Sequence, residues 1–408
     1  MKLKKKELFI FIRVILCFVI LIYIDRSFSY YQFRQSNFTN YKTENITEAV
    51  KTGINFINKS LNNIISQSQE KFNLFNNPKI SIVIPLYKQE KNIGRTINSI
   101  KNQRMKNIEI IIVNDNSPDN SLLVIQNYQK NDRRIKILNN KQNMGILYSR
   151  CIGTLSARGK YILPLDNDDM YLNDDVFDEI YKEAYSNNID IIRFNGISVI
   201  KKIENLFMGK FFVIKQSPIK VEENNIIRQP DLSNFPIRRI CNSNYKCLIT
   251  DYYLWLKCIK TNVYRRAIFS LNKKIYSTYI LGGEDNIASF LLFQYAKTFK
   301  HISKYGILRI NMPFSANKIT TSEIRYKGYI YYLETVVEFS NSVKFRNQII
   351  LCIFLKVIKY LEKYKIKNEY LNDKFKKLII KIYKSEDLKQ EDKEYIKHIV
   401  KTFLNFII

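Results

Sequence analysis

Residues Tyr161–Tyr171 read YILPLDNDDMY. An apolar strand stops abruptly at Asp166, Asn167, Asp168 and Asp169. In an extended segment residues i and i+2 point the same way, so Asp166 and Asp168 present two carboxylates to one point beyond the end of a buried strand. Such a pair repels itself unless a cation or a cationic ligand lies between. An exposed acidic turn that caps a following helix is the other reading of the same residues.

Working outward, short apolar runs alternate with helical patterns. Ile80–Pro85, Ile108–Val113, Ile135–Leu138, Tyr161–Leu165 and Ile189–Phe194 read as strands. Helical spacing occupies 90–103, 121–129, 145–155 and the stretch beginning near Asp174. That order predicts an α/β fold with a doubly wound, mostly parallel sheet, whose right-handed crossovers bring the loops after the strands to one edge. Ligands of open α/β sheets bind outside the carboxyl ends of the strands. Pro85 ends the first strand there, with Tyr87 and Glu90 after it, Asp115 after the second, and Asp166 with Asp168 after the fourth. Neither GxGxxG nor GxxxxGK[ST] is present, so a dinucleotide or phosphate-loop site is excluded. A nucleotide diphosphate here needs its charge neutralised by a metal, which two aspartates can help to hold. Residues 196–250, broken by Pro218, Pro230 and Pro236, read as irregular. Beyond about Ile319 the pattern is helical, and Ile349–Ile358 reads as a core-facing segment too short to span a membrane.

The 408 residues carry 66 Lys plus Arg against 37 Asp plus Glu, a net charge of +29. The basic residues are scattered among abundant Asn and Ile, and no nucleic-acid-binding module surrounds them, so no nucleic-acid partner is expected. At the N-terminus Lys2, Lys4, Lys5 and Lys6 precede an apolar run, Leu8–Ile24, broken only by Arg13. This predicts a cytosolic tail (1–7), a signal-anchor (8–24) and a stalk (25–78), with the remainder lumenal. A cleaved signal peptide is the alternative. The acceptor pattern N-x-[S/T] occurs at Asn37, Asn45 and Asn58, all within the stalk, as glycosylation of a single-pass type II protein of the Golgi or ER requires. Cysteine spacing suggests no zinc site, and Cys241 and Cys247 either pair across a loop or stay free. Two histidines, His301 and His398, leave no room for a His-rich metal centre.

Four segments resemble the family 2 glycosyltransferases in order and spacing: SIVIPLYKQEKNI (Ser81–Ile93), EIIIVNDNSPDNS (Glu109–Ser121), Asn143–Tyr171 beginning NMGILYSR, and GGEDNIASFLL (Gly282–Leu292). The resemblance spans about Lys79 to Gly306. It implies a GT-A fold over 79–310, followed by a helical region over 311–408. It also implies inverting transfer of a sugar from a nucleotide-diphosphate donor to an acceptor hydroxyl on a glycan, glycoprotein or lipid, with Mn2+ or Mg2+ as cofactor. By resemblance Asp115 contacts the donor base, Asp166 the ribose and Arg150 the nucleotide, while Asp168 binds the metal. Asn114 stands where the family usually has a second acid. Asp285 matches the catalytic base, with Glu284 orienting the acceptor, and Trp255 and Lys257 match acceptor-side positions. His301 is a further candidate to assist the metal. A scaffold that kept the fold without the reaction is the competing expectation.

Overall fold

Strand β1 (Ile80–Leu86) shows how the sequence builds the layers. Ile80, Ile82 and Ile84 enter one buried cluster while Val83 enters another. The period of two therefore feeds a core on each face of the sheet. The computed structural model describes residues 77–201, 211–216, 226–228, 253–311, 321–339, 363–384 and 390–404, with isolated positions at 55 and between 350 and 361. Contacts divide the chain into 1–71 and 72–408, and apart from position 55 everything described lies in the second unit.

After β1 come α1 (Ile93–Lys101), β2 (Ile108–Asn114), α2 (Ser121–Asn131), β3 (Ile135–Asn139), α3 (Ile146–Ser156), β4 (Tyr161–Pro164), the short β5 (Met170–Tyr171), α4 (Val176–Ser186) and β6 (Ile191–Lys201). Helix α1 buries Ile93, Thr96, Ile97 and Ile100, the i, i+3, i+4, i+7 stripe of an amphipathic helix. The chain continues through β7 (Phe211–Gln216), β8 (Ile226–Arg228), β9 (Lys257–Lys260), α5 (Thr261–Phe269), the one-turn α6 (Lys273–Tyr276), α7 (Glu284–Tyr295) and β10 (Thr298–Asn311). Helices α8 (Ser322–Glu338), α9 (Glu369–Tyr383) and α10 (Gln390–Leu404) follow.

Among the described residues ten strands form one sheet in the order β3-β2-β1-β4-β9-β6-β10-β5, with β7 beside β6 and β8 beside β10. The block β3-β2-β1-β4 is parallel throughout, as is β6 with β10. Most paired residues lie in these parallel ladders, and β5, β7, β8 and β9 add antiparallel pairings. The sheet is thus mixed, with the expected parallel half. The region expected to be irregular is in part strand: β6 continues to Lys201 because Gly196–Lys201 pairs with β7 and Gly196–Ile200 also with β10. Pro218, Pro230, Pro236, Cys241 and Cys247 lie outside the described residues.

Helices α1, α2 and α4 cover one face of the sheet, while α3, α5 and α7 pack on the other. Tyr326, Leu333, Phe375 and Ile396 of the C-terminal helices join the second core. Ile350, Ile353, Phe354 and Val357 are buried there too, so the apolar run after Ile349 faces the core. The anchor expected over 8–24 and the glycosylation sites at Asn37, Asn45 and Asn58 lie outside the described residues. Among the described residues no helix is long and apolar enough to cross a membrane.

Candidate active site

The DNDD segment leaves β4 at the carboxyl edge of the parallel strands and is tied down by main-chain contacts. Leu165 N–H donates to the Val83 carbonyl (3.0 Å), and Asp169 N–H to the Asp166 carbonyl (3.2 Å). The Asn167 amide donates to the Pro85 carbonyl at 2.9 Å. From α1, the Thr96 hydroxyl donates to the Asn167 carbonyl (3.0 Å) and Arg95 to the Asp168 carbonyl (3.2 Å). These contacts fix the loop through its peptide groups and the Asn167 amide.

Arg150 lies on α3 with its side chain 3% exposed. Its guanidinium donates to Asp166 Oδ1 at 2.6 Å and to Asp285 Oδ1, with Glu284 Oε1 at 3.9 Å. Two acidic motifs separated by more than a hundred residues thus meet on one arginine. Asp285 and Glu284 open α7, whose first turn also favours negative charge through the helix dipole. Helix α7 buries every residue from Asn286 to Phe293, so its N-terminus is rigidly held. Gly283, at φ +91°, turns the chain into that helix, and the Gly282 N–H donates to Glu284 Oε2 at 2.7 Å.

Burial dominates the electrostatics. It pushes the Glu284 carboxyl up to about 7, with Asp285 adding to the effect and Arg150 opposing it. Asp285 is raised by burial while Arg150 pulls it back. Asp168 is pushed up to about 6 by burial and by neighbouring Asp166. Asp169 is raised well above the carboxylate range for the same reasons, with Asp168 contributing too. For Arg150, burial works against the charge, but Asp285, Asp166 and Glu284 outweigh it and keep the guanidinium ionised.

Three residues of this neighbourhood went unassigned in the sequence reading. Asp169 is fully buried, and neither carboxylate oxygen has a hydrogen-bond partner. Arg309, on β10, has its charge upheld against burial by Asp169, Asp166, Asp168 and Asp285, and its guanidinium lies 5.3 Å above the Trp255 ring. Arg95 completes the group. The available signal was an arginine inside an apolar strand, GILRIN, a position that a charge occupies only with partners.

The other expected residues are placed as follows. Asp115 is buried, and its Oδ1 accepts from the Asn140 amide (2.7 Å) and Met144 N–H (2.8 Å) while Oδ2 accepts from Gly145 N–H (2.8 Å). Its carboxylate holds the loop that starts α3, so a contact to a base would draw on the remaining lone pair of Oδ2. Tyr87 is partly exposed after β1. Glu90 accepts from Asn120 N–H at 3.0 Å, joining the first and second strand loops. Trp255 does not offer a ring to an acceptor as expected: it is 1% exposed and packs within the core beneath α1 and α4. Lys257 is also fully buried, donating to the Tyr253 carbonyl at 2.8 Å, and its charge favours ionised Asp285. Both are buried because residues 254–256 form a short turn inside the core and β9 lies between β4 and β6 in the sheet. His301 is buried beside Arg193 (3.5 Å). Register shifts between His301 and Ile307 set those residues of β10 against only Arg193–Gly196 of β6, about 10 Å of strand. The β10 charge that acts on the aspartates is that of Arg309.

Comparison with known proteins agrees with this geometry. The family description "Glycosyl transferase family 2" matches residues 81–242. The uncharacterized glycosyltransferase MJ1057 of Methanocaldococcus jannaschii is 30% identical over 222 residues, 52% of this chain and 74% of the relative. The UDP-Glc:alpha-D-GlcNAc-diphosphoundecaprenol beta-1,3-glucosyltransferase WfgD of Escherichia coli is 28% identical over 188 residues, 45% of this chain and 70% of the relative. Of EpsJ of Bacillus subtilis (28% identical) the chain covers 64%, and of an uncharacterized glycosyltransferase of Haemophilus influenzae (41% identical over 95 residues) 29%, less than two thirds of either relative's length. Among solved structures, S. aureus TarS 1-349 in complex with UDP-GlcNAc superposes with a TM-score of 0.55 at 14% identity, covering 80% of this chain and 89% of that one. The fold is therefore shared with TarS, and the chain belongs to glycosyl transferase family 2.

Proposed function

We propose that the protein transfers a sugar, with inversion, from a nucleoside-diphosphate donor to a hydroxyl of a lipid-linked saccharide. The observation that carries this reading is Arg150, which gathers Asp166 from the strand edge and Glu284 with Asp285 from the start of α7 into one cluster. Family membership supports transferase chemistry. The name of WfgD supports a UDP-sugar donor and a diphosphate-lipid acceptor.

In this reading Asp285 takes the proton from the acceptor hydroxyl as that oxygen attacks the anomeric carbon, and the bond from that carbon to the donor phosphate oxygen breaks. Burial raises the proton affinity of Asp285, while Arg150 keeps it ionised until the acceptor arrives. Glu284 beside it orients the acceptor. Asp166 and Arg150 face the donor side, and Arg309 offsets the charge of the neighbouring aspartates.

The residues present fit a divalent cation. Asp166, Asp168 and Asp169 are hard oxygen donors; burial first and mutual repulsion second raise Asp168 and Asp169, and both Asp169 oxygens are unpartnered. Among the described residues no group of three or more acids, histidines or cysteines is placed to hold a metal ion on its own, so donor oxygens would have to complete the site. Asp168, with Asp166 beside it, would hold Mn2+ or Mg2+ together with donor phosphate oxygens. An ion held there would supply charge neutralisation for a diphosphate leaving group.

A panel of UDP-, GDP- and dTDP-sugars with a diphosphoundecaprenol-linked acceptor tests the reading. Asp285→Asn should bind UDP as the wild type does yet lose transfer by about 100-fold or more. Asp168→Asn, or chelation of the metal, should abolish transfer. Undiminished turnover by Asp285→Asn removes it as the base, and no transfer from any donor favours a non-catalytic scaffold. We further place the chain on a membrane through residues 8–24, on the strength of the basic tail and the apolar run.

A further inference from the structure

At the opposite edge of the sheet lies a cavity of about 410 Å³ around the starts of β6 and β10 and the end of β9. Four cations line it, Arg228, Lys260, Arg266 and Lys297, against a single carboxylate, Asp190. That carboxylate is already engaged. Asp190 Oδ1 accepts from Lys260 Nζ (3.1 Å) and Oδ2 from Lys297 N–H (2.8 Å). Its own N–H donates to Thr298 Oγ1 at 2.9 Å, and its carbonyl accepts from Lys260 N–H at 2.8 Å. Asp190 thus pins three chain segments into a preformed floor and neutralises only Lys260.

Among the described residues no carboxylate pairs with Arg228, Arg266 or Lys297. Three uncompensated cations around one concavity repel one another and focus a positive potential into it. Arginine forks match the oxygens of a phosphate in a bidentate way, and a dianion offsets more of this charge than a single carboxylate does. Lys260 pairs with Tyr161, the first residue of β4, so the cavity is about five residues, or roughly 16 Å, of strand from Asp166. It is not part of the donor edge.

We propose that this cavity binds the phosphate of an anionic ligand, a phosphate ester or a diphosphate, at the pole of the sheet opposite the candidate active site. Isothermal titration of the full chain with inorganic pyrophosphate, in EDTA to silence metal-dependent donor binding, tests this directly. Arg266 and Lys297 are exposed, so the double variant R266Q/K297Q should fold, as circular dichroism can verify. It should bind pyrophosphate at least tenfold more weakly than the wild type. The control K381Q/K384Q removes the same charge from exposed positions of α9 and its C-cap and should bind as the wild type does.

Absence of wild-type binding, an R266Q/K297Q affinity within twofold of wild type, or an equal loss in the control would each overturn the proposal. The source of the phosphate is read from vesicles. If the extra binding to phosphatidylglycerol over phosphatidylcholine vesicles is displaced by pyrophosphate and lost in R266Q/K297Q, the ligand is a lipid headgroup. If pyrophosphate binding depends on the cavity but that vesicle increment does not, it is a soluble phosphate.

Discussion

Arg150 is the residue on which the site depends, because its single charge compensates carboxylates contributed by two distant motifs. Removing one partner of a buried ion cluster leaves the others unpaired. Arg150→Gln should therefore lower stability by about 3 kcal/mol, read as a shift in the urea midpoint, and an unchanged midpoint would show the cluster to be stability-neutral. Glu284 gives a pH signature. Its folded carboxyl is raised to about 7, so it contributes stability that is fully present below the ordinary carboxylate range and is lost as pH rises through about 7. The ligand-free protein should thus unfold at lower urea at pH 8 than at pH 5. Glu284→Gln should reduce that difference, to which the raised Asp168 and Asp169 add with the same sign, and a variant with the wild-type slope would remove Glu284 as a source. Asp285 and Glu284 were legible from the GGED sequence, since acids after glycines at a helix start are a local pattern. Arg309 and the buried state of Trp255 were not, because both depend on which strand lies next to which.

At the scale of elements, the orientation of the acidic pair depends on how α8 meets the Gly282–Gly283 turn. Gly283 passes against Gly328 of α8, and a methyl group added at Gly328 would land on the carbonyl oxygen of Gly282. Backbone rather than a flexible side chain blocks that methyl, so relief requires the turn or the helix to move. Gly328→Ala should reduce transfer at least tenfold, as expected when reacting groups are displaced by about 1 Å, with a loss of thermal stability. Gly328→Ala with wild-type turnover would show that α8 does not position the pair. The β-α alternation as far as β6 followed from periods of 2 and 3.6 that survive in any short window. The segments β7, β8 and β9 escaped because their ladders form with strands distant in sequence.

For the whole molecule, the described part of the sheet has two chemically distinct edges, with acids clustered beyond the carboxyl ends and, at the other, cations that no described carboxylate pairs. A positive pole of this kind is the arrangement that favours an anionic surface. If residues 8–24 form the attachment, deleting residues 1–30 should move most of the protein from the membrane pellet to the soluble fraction at high salt. A deletion variant that still pellets at high salt would count against that attachment and in favour of another contact.

The sequence by itself determined the layered α/β architecture, the acidic strand end at Asp166 and Asp168, and the acidic helix start at Glu284 and Asp285. Each is written in a stretch short enough for local geometry to govern it. The tertiary structure alone decided that one arginine joins the two acidic motifs, that Asp115 spends its oxygens on the loop before α3, and that Trp255 is core. It also placed Arg309 among the aspartates. These outcomes depend on packing between segments tens to more than a hundred residues apart, where burial and pairing, rather than local pattern, set the energy of each charge.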